Sequence, residues 1–306
     1  MAGPLLVDPS LNMVEVEKAL RDHLHVLTVE IGERSVLTPK NHAQAASYIA
    51  DTLRAQGLHV REEPYPYENT TVANILAETG PEKPRRRYLV GAHYDSLART
   101  VGADDNASAV AVLLETARLV QALRCFDTAQ ASVQFVAFAL EEPPAYGTRF
   151  MGSRMRAKNA KKARERIDGM ICLEMVGYTC RKPGCQSYPF PLGFRNYPST
   201  GDFIGIVGNF GSRSLIRAME QSFKKNPDLP VITLTVPFNG WLIPSVRLSD
   251  HAPFWDAGYP AVMVTDSAFY RNPYYHTIHD TMETLDFGFM AQLVRSLVGF
   301  LCDSTF

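Results

Sequence analysis

Short, nearly continuous apolar runs alternate with stretches of helical periodicity along almost the whole chain. Residues 72–77, 88–93, 133–140, 170–176, 203–207 and 261–265 predict strands. Most are apolar at successive positions, as strands covered on both faces are. Between them the spacing is that of helices. From Asn106 onward Val110, Leu113, Leu114, Ala117 and Val120 fall on one helical face, and near the end Met290, Leu293, Val294, Leu297, Val298 and Leu301 do the same. This alternation predicts an α/β fold, a largely parallel sheet covered by helices.

Length and composition narrow the picture. With 306 residues the chain could hold two domains, but α/β proteins of this size are routinely one, and neither an internal repeat nor a low-complexity linker divides it. We therefore read 1–306 as a single domain. Hydrophobic residues make up 46% and charged residues 21%, which excludes a disordered or collagen-like chain. Lys and Arg total 31 against 32 Asp and Glu, so no overall field collects nucleic acid or anionic lipid. Two local basic runs, Arg85 to Arg87 and residues 158–166, lack interleaved aromatic residues and read as solvated surface. No apolar stretch is long enough for a membrane span, and the first residues lack the basic and apolar regions of a signal peptide.

Five cysteines are too few and too scattered for a disulfide framework or a CxxC zinc site. Cys180 and Cys185 bracket a short loop and could bridge in an oxidising compartment, although two free thiols are the safer reading. The expectation is a cytoplasmic protein.

Five segments concentrate metal-ligand side chains where strands end or helices begin: Gly91-Ala92-His93-Tyr94-Asp95-Ser96, Gly102-Ala103-Asp104-Asp105-Asn106-Ala107-Ser108, Leu140-Glu141-Glu142, Leu173-Glu174-Met175 and Tyr275-His276-Thr277-Ile278-His279-Asp280-Thr281. In open α/β sheets ligands bind outside the carboxyl ends of the strands, so these segments can converge on one crevice. Each alone has a bland reading: a core histidine, a solvated acidic loop, an Asp-Asp-Asn helix cap. Glu174 is harder to dismiss, because a carboxylate inside an apolar strand needs a cation, an ion pair or a proton. Residues 177–199, rich in Pro, Gly and Tyr, form a long loop after that strand and are expected beside the site.

GAHYDS, GADDNASA, FVAFALEEPP, MGS, ICLEMVGY, SDHAPFWDAGYPAVMVTD and YHTIHDT, in this order and spacing, resemble the zinc-dependent exopeptidases that include the bacterial secreted aminopeptidases, glutamate carboxypeptidase and the glutaminyl cyclases. The resemblance runs from Asn41 to the C-terminus and implies a three-layer α/β sandwich of the phosphorylase/hydrolase type with two zinc ions. It implies Asp105 as the bridging carboxylate, Glu142 and His276 completing one metal, and His93 and Glu174 the other. Glu141 becomes the general base, and Asp95 an acceptor that orients His93 through its other ring nitrogen. The secreted aminopeptidases usually carry Asp where this chain has Glu174, which implies a shifted contact there. Ser249-Asp250-His251 also matches a recurrent segment, read either as a helix cap or as a network beside the substrate, and His251 is left out of the ligand set. The implied activity is peptide hydrolysis, an aminopeptidase before a carboxypeptidase, with glutaminyl cyclase, a one-zinc acyltransferase, as the alternative. A scaffold that has lost its chemistry would have lost ligands first, yet every ligand position holds a competent residue type.

Overall fold

A computed structural model describes residues 11–126, 131–194 and 196–303. Helices α1 (Met13–His25) and α2 (Pro39–Ala55) lead into an antiparallel pair, β1 (His59–Tyr67) and β2 (Thr70–Thr79). The remaining elements alternate: β3 (Arg86–His93), α3 (Ala109–Ala122), β4 (Ala131–Phe138), α4 (Gly152–Ala163), β5 (Gly169–Glu174), β6 (Ile204–Asn209), α5 (Arg213–Phe223), β7 (Val231–Val236), α6 (His251–Ala257), β8 (Ala261–Thr265) and α7 (Phe287–Cys302). One eight-stranded sheet has the order β1-β2-β4-β3-β5-β8-β6-β7. Strands β4, β3, β5 and β8 run parallel at its centre, and β6 and β7 run parallel to each other but against β8. The sheet is mixed and mostly parallel, as the alternation predicted.

Each central strand is buried on both faces because alternate side chains enter two separate cores. Val90 and Ala92 of β3, Phe135 of β4, Ile171 of β5 and Val264 of β8 pack with α1, α3 and α7. Leu89, Val136, Cys172 and Met263, one position over, pack with α4 and α6. Helix α3 is wrapped more fully than its predicted face suggests: Ala111 and Val112 are buried too, since α1 and α7 lie against it as well as the sheet. The two strands the pattern did not predict, β1 and β7, are the sheet's edges, where one side needs no partner and the apolar signal weakens. Arg86 and Arg87 belong to β3 rather than to the turn before it.

The cysteines depart from expectation. Cys180 and Cys185 are disulfide-bonded rather than free, and a second bond joins Cys125, just past α3, to Cys302 at the end of α7. Those two lie 177 positions apart in sequence but 4.9 Å apart at Cα, a proximity created only by the packing of α3 on α7. Only Cys172 remains a free thiol, and it is buried. Disulfides persist in oxidising compartments, so cysteine usage no longer supports the cytoplasmic expectation. Among the described residues no helix is long and apolar enough to cross a membrane.

Candidate metal centre

The parallel strands deliver their last side chains to one crevice. His93 ends β3, Glu174 ends β5, and Glu141 and Glu142 follow β4 by three and four positions. Asp105 comes from the irregular turn before α3, where its backbone leaves helical geometry (φ −105°, ψ 85°). His276 comes from the segment before α7, held in the left-handed region at φ 58°. All the side chains expected at the site are thereby brought together.

Two groups of donor atoms form, each spanning no more than 4.8 Å: His93, Asp105 and Glu174, and Asp105, Glu142 and His276. Asp105 faces both. Its Oδ1 lies 3.5 Å from His93 Nε2 and its Oδ2 lies 3.1 Å from His276 Nε2. Glu174 Oε2 is 3.6 Å from His93 Nε2, and Glu142 Oε2 is 3.5 Å from His276 Nε2. Glu141 belongs to neither group, its Oε2 standing 3.9 Å from His93 Nε2.

This donor set fits two divalent cations. Four buried carboxylates crowd two imidazoles, and buried charge of one sign is tolerated only beside the other. His93 Nε2 and Glu142 Oε1 are buried without a hydrogen-bond partner, as ligand atoms awaiting an ion would be. Histidine and carboxylate ligands suit zinc, and a shared carboxylate suits a binuclear zinc centre. The local field agrees. Burial alone would lower the His93 pKa, but Glu174, Asp105 and Asp95 hold it well above the usual imidazole value. Burial also pushes Glu142 up, to about 7, with Asp105 adding to the shift.

Around these groups lies a polar frame that sequence reasoning only partly found. Asp95 sits 3.2 Å from His93 Nδ1 and accepts the backbone N–H groups of Glu141 at 2.9 Å and Glu142 at 3.0 Å, tying β3 to the segment after β4. Asp280 accepts the N–H groups of Asp104 and Asp105. Asn106 clasps the end of β5, donating to the Leu173 carbonyl and accepting from Met175. The Asp-Asp-Asn run is thus no helix cap: Asp104 accepts from Gly177 and Asn272, and each of the three side chains has its own partner. Arg34, wholly buried, donates to the carbonyls of Tyr94, Val101 and Gly102 and sets the course of the loop from His93 to Asp105. Only its burial marks Arg34 as part of the site, and burial is invisible in a sequence.

The Ser249-Asp250-His251 segment divides by residue. Ser249 donates its hydroxyl to Glu174 Oε2 at 2.5 Å, so it touches the site, while Asp250 stands at the start of α6 without making a side-chain cap. His251 turns away: its Nε2 bonds the Val246 carbonyl at 2.8 Å and its ring meets Trp255 edge-on at 4.4 Å. Burial pushes His251 down to about 4 from its ordinary 6.5. An unfolded chain binds this proton more tightly, so the stability held by neutral His251 is complete above pH 6.5 and is lost as pH falls towards about 4. In urea-unfolding curves at stepped pH, His251→Gln is expected to flatten the dependence across that window by up to one proton. An unchanged slope would place a charged His251 in the folded protein.

A cavity of about 120 Å³ opens beside Glu174. Its walls include Phe203, Val207, Met263 and Phe269, together with Tyr188 and Leu192 from the 177–199 loop, which lies beside the site as expected. Glu174 is the one charged side chain among the described residues lining it.

The model for peptidase family M28 matches residues 74–300 of this chain. An uncharacterized protein, YfbL, of Escherichia coli strain K12 is 36% identical over 298 residues, covering 95% of this chain and 88% of its own length. Among solved structures, the LapA aminopeptidase of Legionella pneumophila superposes with a TM-score of 0.74 at 18% identity, over 96% of this chain and 73% of LapA. A glutaminyl cyclase from Porphyromonas gingivalis gives 0.67 at 21% identity, over 94% of this chain and 97% of its own. At these identities the two structural likenesses establish the fold.

Proposed function

This chain belongs to peptidase family M28, a metal-dependent exopeptidase of that superfamily, and from that premise we propose that it is an aminopeptidase removing apolar N-terminal residues. In this reading His93, Asp105 and Glu174 would hold one zinc ion and Asp105, Glu142 and His276 a second, with Asp105 common to both groups. Zinc held there would supply Lewis acidity, lowering the pKa of a water and polarising the scissile carbonyl. Glu141 would accept a proton from the attacking water and return it to the departing amine. Burial, reinforced by Glu174, Glu142 and Asp250 against the pull of His93, raises Glu141 well above the usual carboxylate range, which makes it a stronger proton acceptor. Asp95 holds the His93 ring and, through the N–H groups it accepts, the backbone of Glu141 and Glu142.

The observation that carries the reading is the apolar cavity opening on Glu174. It suits an apolar side chain whose own α-amine lies among carboxylates. Among the described residues its lining offers no Arg or Lys to receive a terminal carboxylate next to the scissile bond, as a carboxypeptidase needs. The test is the zinc-loaded protein with Leu-p-nitroanilide, N-acetyl-Leu-p-nitroanilide, an N-acetylated peptide and a Gln-initiated peptide, followed by mass spectrometry. Cleavage of the unblocked anilide alone among the first three, with Gln released as a free residue, is expected. C-terminal trimming of the blocked peptide would establish a carboxypeptidase, and loss of ammonia from the Gln peptide without hydrolysis a cyclase.

A further inference from the structure

A second cavity, of about 320 Å³, lies apart from the metal centre between Tyr65 and Pro66 at the end of β1 and the segment Arg149 to Lys158 that opens α4. Three cations line it: Arg149, Arg154 and Lys158. None has a carboxylate partner among the described residues. The Arg149 guanidinium lies over the Phe150 ring at 4.7 Å, and Arg154 Nε is buried with no hydrogen-bond partner. The nearest acid on the same face of β1, Glu63, is already taken by the side-chain amides of Asn74 and Asn159. A cleft with cationic lining, an aromatic floor and an unsatisfied buried donor is suited to an anion, because charge-assisted bonds to a carboxylate would satisfy what the protein leaves open.

Its place in the sheet says which anion. Strand β1 runs antiparallel to β2 and β2 antiparallel to β4, so β1 and β4 end at the same edge as the metal centre. The Tyr65 hydroxyl donates to the carbonyl of Ala139, two residues before Glu141, and the Phe150 ring meets Tyr67 edge-on at 5.4 Å. In the order β1-β2-β4-β3-β5-β8-β6-β7 the cationic cleft flanks the centre on the β1 side, and the apolar cavity beside Glu174 flanks it on the other. Three strand spacings of about 4.8 Å separate β1 from β3, the strand at the middle of the metal centre, a span of about four residues of extended peptide at roughly 3.3 Å each. A chain with its N-terminal side chain in the apolar cavity therefore leads its departing portion towards the cations.

We propose that the cleft ringed by Arg149, Arg154 and Lys158 is an anion subsite that receives a carboxylate of the departing portion of a short peptide, about four residues beyond the scissile bond. The proposal rests on the aminopeptidase reading for the direction of the chain. It makes the preferred substrates peptides of about five residues with a free C-terminus, or longer peptides with an acidic residue at that distance.

Leu-Gly-Gly-Gly-Gly, its C-terminal amide and the amide of Leu-Gly-Gly-Gly-Glu distinguish these sources. For the zinc-loaded protein, KM for the free acid is expected to be about tenfold below that of its amide, and the difference should shrink in about 0.5 M NaCl because Arg149 and Lys158 are exposed. In Arg149→Gln/Arg154→Gln/Lys158→Gln the ratio should collapse to less than about twofold. Arg149→Gln/Lys158→Gln, which changes exposed positions alone, should lower it partway if the triple variant does not fold. Recovery of tight binding by Leu-Gly-Gly-Gly-Glu amide would show that a side-chain carboxylate serves as well. Equal KM for acid and amide in the wild type, or a ratio that survives the triple substitution, would overturn the subsite. Calorimetry of acid and amide against the same proteins reads the preference without turnover. Absence of Leu-p-nitroanilide hydrolysis would instead count against the aminopeptidase reading, while the calorimetric acid-to-amide ratio would still decide the subsite.

Discussion

Glu141→Gln is expected to lower kcat by about 10²–10⁴-fold, the usual worth of general-base catalysis, while zinc content stays at the wild-type level. Gln keeps the size and reach of the side chain and leaves intact the backbone bond from residue 141 to Asp95. What it removes is the proton acceptor. Because Glu141 stands outside both donor groups, its loss should spare the metals, whereas Glu142, one residue on, is a member of the His276 group. Glu142→Gln should therefore reduce zinc affinity before it alters the rate of the fully loaded protein. Metal analysis together with single-turnover rates separates the two. Zinc lost from Glu141→Gln, or zinc retained by Glu142→Gln with a base-like loss of rate, would reverse the assignment.

Asp105→Ala is expected to carry the largest penalty. Removing a partner of a zinc ligand typically costs 10- to 100-fold in affinity or activity, and Asp105 is a direct donor in both groups, so metal affinity should fall by more than about 100-fold and turnover should drop below detection. The chain should still fold. The turn carrying residue 105 is anchored by Asp280 through backbone N–H groups and by Asn106 on β5, neither of which uses the Asp105 side chain. Burial would push the Asp105 carboxyl up, but His276 and His93 hold it well below the ordinary carboxylate range, so it presents a full negative charge to both groups at neutral pH. Zinc titration followed by atomic absorption, with circular dichroism as the folding control, gives the result. Two zinc ions retained with near-native turnover would dispose of the shared-ligand arrangement.

The central layers of this fold were legible because their physics is local. A strand covered by helices on both faces must be apolar at consecutive positions, and β3, β4, β5 and β8 announce themselves that way. The edge strand β1, His-Val-Arg-Glu-Glu-Pro-Tyr-Pro-Tyr, carries charges and prolines because only part of it is buried, so no pattern marked it. Most of the candidate donor side chains were legible for a related reason: His93, Glu141, Glu142 and Glu174 stand at or just past the ends of those apolar strands, where a His or Glu has few structural explanations. The 177–199 loop could be placed beside the site because it follows directly on the strand that delivers Glu174.

What the sequence by itself determined was the order of the layers and the inventory of chemistry. The tertiary structure decided which atoms meet. Asp280 supports a turn 175 positions away, Arg34 holds the loop ahead of Asp105, and Ser249 rather than His251 reaches Glu174. Cys125 finds Cys302 only because α3 packs on α7. Arg149, Arg154 and Lys158 come together only where β1 and the start of α4 enclose them in one cleft. In each case the deciding quantity is burial or distance between segments remote in sequence. Hydrophobic periodicity records which face of an element is covered, but not which polar group from elsewhere in the chain arrives to satisfy it.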